Sequence, residues 1–229
     1  MATRFYLPTS GTPGASPTPD AAWERSIAAA TTWPMPVGTH SNSALTTYIS
    51  LFGATATSQT RWHSWVSDTL DVNQTISGTM SMVIGKCAET STSGDAHLAF
   101  SARVMQGDTS SVRGTLLLYH ATSTEFPLTA SAATRIHNAR AITTVNALAG
   151  DRIMLDIGIH GVTPANENMQ MRFGDPTGTA DFALTAALTT DLVPWWELSS
   201  TLTFGAVASG PIGAQYYQIG GNQTFGGRY

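Results

Sequence analysis

Cysteine and lysine are almost missing from this chain of 229 residues: Cys87 and Lys86 stand alone. One cysteine excludes an intramolecular disulfide and a cysteine-rich zinc site, so packing has to hold the fold, and synthesis in a reducing compartment is expected. With one lysine against ten arginines there is no basic run to neutralise a string of phosphates. Nucleic acid is therefore not an expected partner. Charged residues make up only 11% of the chain, for a net charge of −4. No run of roughly eighteen apolar residues occurs, and the opening MATRFYLPTSG has no apolar core after Arg4. Neither a membrane span nor a signal peptide is expected, which describes a soluble protein made in the cytosol.

Catalytic signatures are also scarce. GTMSMVIGK has the wrong glycine spacing for a phosphate loop and reads as a strand, whose N–H groups belong to a ladder. There is no G-x-S-x-G elbow and no H-E-x-x-H. The six histidines, at 40, 63, 97, 120, 137 and 160, form no H-x-H or H-x-x-x-H pair. Asp156 and His160 share the polar face of one strand, but at about 3.3 Å per residue they stand roughly 13 Å apart, too far for a hydrogen-bonded pair. That face is expected to be solvated or an interface. Asp175 and Asp181 in FGDPTGTAD fit an Asx-turn, and the same oxygens could ligate Ca²⁺. Asp156, Asp175, Asp181, Asp191 and Glu197 could supply a glycosidase's carboxylate pair, but no spacing singles out two. No catalytic residue, metal or cofactor is expected.

What the chain does contain is Thr and Ser, roughly a quarter of all residues, with 21 Gly and 11 Pro. Stiff β-branched residues punctuated by Gly and Pro favour strands and turns. Alternation is clearest in TISGTMSMVIGK, residues 75–86, with Ile76, Met80, Met82 and Ile84 opposite Thr75, Ser77, Thr79 and Ser81. It recurs in HLAFSARVM, where Leu98, Phe100, Ala102 and Val104 share a face, and in DRIMLDIGIH, where Ile153, Leu155, Ile157 and Ile159 do. Further strands are expected over 43–52, 61–68, 112–120, 169–173 and 195–204. Turn signals at 90–95, 106–111, 149–151 and 174–179 separate them. One apolar and one Ser/Thr face, repeated without a helical period, predicts an all-β antiparallel sandwich, with the jelly roll as the expected form.

Three segments follow. Residues 1–42, with prolines at 8, 13, 17, 19, 34 and 36, are expected to be an extended arm outside the core, with at most a short helix through AAWERSIAAA capped by Asp20. Residues 43–204 form the sandwich. Residues 205–229 form a Gly-rich tail that keeps aromatics and is expected to dock on something. The candidate interface residues are Phe5, Tyr6, Trp23, Trp33, Trp195, Tyr216, Tyr217, Phe225 and Tyr229. Trp195 and Trp196 are adjacent on a strand, so one should enter the core. The other is expected nearer the surface, where it could stack on a sugar or be buried by a neighbouring subunit.

The opening MATRFYLPTSGTPGASPTPDAAWE, the middle QTISGTMSMVIGKCAE and SVRGTLLLYH, and AGDRIMLDIGIHG followed by MRFGDPTGTADF and DLVPWWELSSTLTF resemble tailed-bacteriophage virion proteins of the minor structural or minor tail kind. The resemblance holds in order to about residue 204, is strongest from AGDRI to PWWE, and brings no catalytic residues. It implies a β-sandwich displayed on a phage particle, on head or tail. The expected function is non-enzymatic decoration of the capsid exterior. The expected partners are the major capsid protein or other virion proteins and further copies of the chain, a trimer being most natural at a threefold position. The rivals are a minor tail or fibre protein touching a host-surface glycan, and a carbohydrate-binding module.

Overall fold

The computed structural model describes residues 1–27, 30–52, 58–90, 94–107, 111–128, 131–162, 167–185 and 191–205. Within them the chain is all-β with almost no helix. The strands are β1 (Thr3–Tyr6), β2 (Arg25–Ser26), β3 (Thr32–Pro34), β4 (Thr46–Phe52), β5 (Ser58–Val66), β6 (Gln74–Ile76), β7 (Thr79–Glu89) and β8 (Asp95–Met105), followed by β9 (Val112–Glu125), β10 (Ala133–Ala141), β11 (Val145–Ala147), β12 (Arg152–Val162), β13 (Glu167–Phe173) and β14 (Trp195–Leu198). They make one sheet in the order β1-β14-β7-β13-β4, with β10 also on β7, a second in the order β2-β5-β12-β8-β9, with β3 also on β5, and a small β11-β6 pair. Pairing is antiparallel except where β2 and β3 run parallel to β5. The expected strand over 75–86 is two strands, because Gly78 takes φ +92° and breaks the run between β6 and β7.

The long β7 organises the first sheet. One of its edges carries β14 along Met80–Val83 and β13 along Gly85–Glu89, and the other carries β10. The alternating faces read from sequence are those that meet in the interior. Met80, Met82 and Ile84 of the first sheet share a cluster with Leu98, Phe100, Val104, Ile153, Leu155, Ile157 and Ile159 of the second. Each such side chain contributes about 1.5–3 kcal/mol on burial, enough to hold a sandwich-like layering without covalent staples.

The N-terminal segment is not an arm outside this core. β1 pairs with β14, and Phe5 and Leu7 are wholly buried, with Phe5 stacked on Trp196 at 4.9 Å between ring centroids. Pro8 accepts a 2.9 Å hydrogen bond from the buried Trp65 indole, and the Gly174 N–H donates to the Leu7 carbonyl. Proline is excluded from central strands but tolerated on edges, and edges are where this segment adds: β1 to the first sheet, β2 and β3 to the second. The helix expected near Trp23 does not form in the described residues. Asp20 does cap the Ala22 N–H, but the chain then extends as β2, and Trp23 lies against Gly158 of β12. A Cβ at Gly158 would stand 2.8 Å from the Trp23 ring and 2.1 Å from the Thr60 carbonyl oxygen, so this approach needs glycine.

Burial of both faces has a cost at His63. Its ring sits among Trp33 (4.3 Å), Tyr48 (4.4 Å) and Phe173 (5.9 Å), fully buried, with Nδ1 accepting from the Thr31 N–H. Burial first, and then the Arg61 charge, push its pKa down to about 3. A histidine depressed in the folded state stabilises it fully above the unfolded value of about 6.5, and that stability drains as pH falls toward 3. Urea unfolding at pH 7, 5 and 4 is expected to show a steep loss, about 3 kcal/mol at pH 4 from this group. His63→Phe should flatten the slope. Equal slopes for both proteins would overturn the assignment.

Candidate functional site

A concave site that gathers polar chemistry among the described residues lies between β9 and β10, outer strands of the two large sheets. It is a cavity of about 370 Å³ whose lining includes His120, Thr122, Ser123, Thr124, His137 and Arg140. Both strands carry one extra residue beside their histidine. In β9, Leu117 pairs with Ala102 and His120 with Phe100, so three steps oppose two. In β10, His137 pairs with Met82 and Arg140 with Met80 in the same way, and Ala139 takes the left-handed φ of 51°. On a regular strand residues three apart point to opposite faces. The bulge at Ala139 brings Arg140 back to the side of His137, the re-aiming that bulges perform next to functional sites.

Cross-strand partners share a face, so pairing with Phe100, Met82 and Met80 directs His120, His137 and Arg140 toward the gap between the sheets. The imidazoles lie 5.2 Å apart between centroids and both pack on Phe100, at 5.5 and 5.2 Å. Burial and then the Arg140 charge lower the His120 pKa. Burial, then His120, then Arg140 push His137 down to about 4. Both rings are therefore neutral at pH 7. Neither ring nor the exposed Arg140 guanidinium has a hydrogen-bond or ion-pair partner among the described residues.

The residues singled out from sequence lie elsewhere. Phe5, Tyr6, Trp23, Trp33 and Trp195 are all buried in the chain's own interior, so they form its core rather than an interface. Tyr216, Tyr217, Phe225 and Tyr229 lie outside the described residues. Trp195 and Trp196 do point to opposite faces, but neither is exposed. Trp196 enters the main core, while Trp195 packs with Tyr6, Val83, Phe182 and Val193. Its indole donates to the Phe182 carbonyl at 2.6 Å, and the Arg4 guanidinium covers its ring at 4.0 Å, which leaves no face for a sugar.

Each acid singled out has its own partners. Asp175 is fully buried and accepts from Ser41 N–H and Oγ and from Ser43 N–H and Oγ, at 2.6–3.2 Å, so it ties the two loops together with donors rather than presenting a cation site. Asp181 takes Arg4, Tyr6 and His40; Glu197 takes Arg4; Asp191 takes Lys86 and Arg172. Asp156 does not face solvent as expected. It is completely buried, accepts from Ser64 Oγ (2.5 Å), Arg103 (3.0 Å) and the Asp20 N–H (3.1 Å), and has no contact with His160. Residues 18–26 cover that face, and the Thr18 carbonyl accepts from Arg103. Among the described residues no three His, Cys, Asp or Glu side chains are grouped to hold a metal ion, and no helix is long and apolar enough to cross a membrane.

The histidine cleft was not visible in the sequence. Its two rings are seventeen residues apart, and β10 shows no clean alternation, because it is an edge strand whose second half is exposed. Comparison of the chain with protein-family models, with curated proteins and with solved structures finds no match.

Proposed function

We propose that this chain is a non-enzymatic structural protein of a tailed-bacteriophage particle, a jelly-roll subunit that decorates the capsid exterior. The observation that carries the fold part is the strand pairing. Taken in chain order, β4, β5, β7, β8, β9, β10, β12 and β13 pair first with last and so on inward: β4 with β13, β5 with β12, β7 with β10, β8 with β9. Lateral pairs β13·β7 and β12·β8 then join them into two four-stranded halves. One long hairpin rolled up on itself gives this order, and jelly rolls recur in viral capsids. Fold alone does not assign function, so the virion part rests on the sequence resemblance.

With residues 1–42 built into the domain, the contacts with the shell and with neighbouring copies, in a trimer, fall to the tail after residue 205 and to the domain's flanks. Imaging of the intact particle is the test. Many copies on the icosahedral shell, lost when the chain is truncated at residue 205, are expected. A particle with no density for the chain on its shell would overturn the decoration. The cleft between β9 and β10 favours a second reading, a tail or fibre protein that binds a polar group on the host surface, for which density confined to the tail is the expected result.

A further inference from the structure

We propose that the cleft between β9 and β10 is an oxyanion-binding site, which takes the carboxylate or phosphate group of a small ligand against Arg140, with the two imidazoles and the Thr124 hydroxyl as hydrogen-bond donors. It goes beyond the structural role above and stands or falls separately from it. Three nitrogen-bearing side chains converge there with no partner among the described residues, and two strand bulges aim them. The Arg140 guanidinium there is a positive charge without a counter-charge among the described residues, and an anion supplies it.

Among the described residues, the surroundings contain nothing that already plays this part. On β10, Arg135 is turned away, donating to the carbonyls of Thr134 and Glu125. On β9, the exposed Glu125 lies beyond Thr124 and opposite His97, which is engaged by Asp95 at 2.6 Å. β8 offers Phe100, on which both imidazoles pack. Arg140 disfavours a cation there, since its charge lowers the proton affinity of both imidazoles. The volume, about 370 Å³, suits a monosaccharide or a smaller anion.

Linkage fixes the sign of the pH dependence. An anion stabilises protonated imidazole, so binding raises both histidine pKa values and affinity rises as pH falls below 7. The experiment is titration of the full chain with glucuronate, inorganic phosphate and glucose, following the imidazole NMR signals between pH 5.5 and 7.5. Glucuronate, phosphate or both are expected to move His120 and His137 and to leave His63 unmoved. Phosphate alone would assign a phosphate-bearing ligand, and glucuronate alone an acidic sugar. Arg140→Gln, a change at an exposed edge position, should weaken binding about tenfold or more. His137→Asn should remove most of the pH dependence. Movement by glucose equal to that by glucuronate, no movement with either anion, or unchanged affinity in Arg140→Gln would overturn the proposal.

Discussion

Deleting residues 1–40 is expected to abolish cooperative folding. The segment supplies β1, whose four residues register with Leu198 to Trp195, and the edge additions β2 and β3 on β5. Removing it strips Phe5 from Trp196, opens the Trp65 indole and exposes the buried face that holds Asp156. It also leaves two bare sheet edges, which invite association with other chains. Phe5→Ala alone, a large-to-small change at a fully buried position, should cost about 3–5 kcal/mol. Urea unfolding followed by tryptophan fluorescence is the measurement. A truncated protein that still unfolds in one sharp transition near the full chain's midpoint would show that the segment is dispensable.

Asp156→Ala is expected to be the most damaging single change outside the apolar core. The carboxylate is reached by Ser64, Arg103 and the Asp20 N–H, and Arg61 reaches the same Ser64 Oγ at 2.7 Å. Burial pushes the Asp156 carboxyl up against the pull of all these donors, and burial likewise pushes Arg61 down. The cluster is therefore held at an electrostatic cost, and removing one member strands the others. Breaking a buried pair from one side costs about 3–5 kcal/mol, because the charge left behind has no partner. Asp156→Asn, which keeps the shape and an acceptor for Arg103, should cost clearly less than Ala. If Asp156→Ala unfolds within about 1 kcal/mol of the unaltered chain, the cluster is not holding the N-terminal segment down.

Periodicity made part of this molecule legible. The strand bodies of β7, β8 and β12 and the faces they turn inward follow from alternation over ten or so residues, a local property that no distant contact can reverse without exposing every apolar side chain at once. The turn signals at Gly107, Gly150 and Gly174 are equally local, since each takes a positive φ. The Trp195–Trp196 pair was half legible: opposite faces follow from the pleat, but burial of the second ring depends on Arg4, Phe182 and Val193 packing against it. β10 was missed because an edge strand exposed along half its length has no apolar face to mark it.

The N-terminal segment and the cleft show where such reading ends. Prolines correctly kept residues 1–42 out of any central ladder, but nothing local says that both sheets would offer edges for β1, β2 and β3 to join. The polar outer face of β5, β8 and β12 looked solvated because Ser64, Ser101, Arg103 and Asp156 alternate with the core residues. It is buried because another part of the chain lies on it. His120 and His137 meet only when β9 and β10 become facing edges, and Arg140 joins them only because a bulge inserts one residue. The sequence by itself determined the all-β class, the inward faces and the turns, because these depend on neighbours a few residues away. The tertiary structure alone decided which edges are closed, which polar residues are buried and which side chains converge, because these depend on pairing between segments whose separation along the chain carries no period.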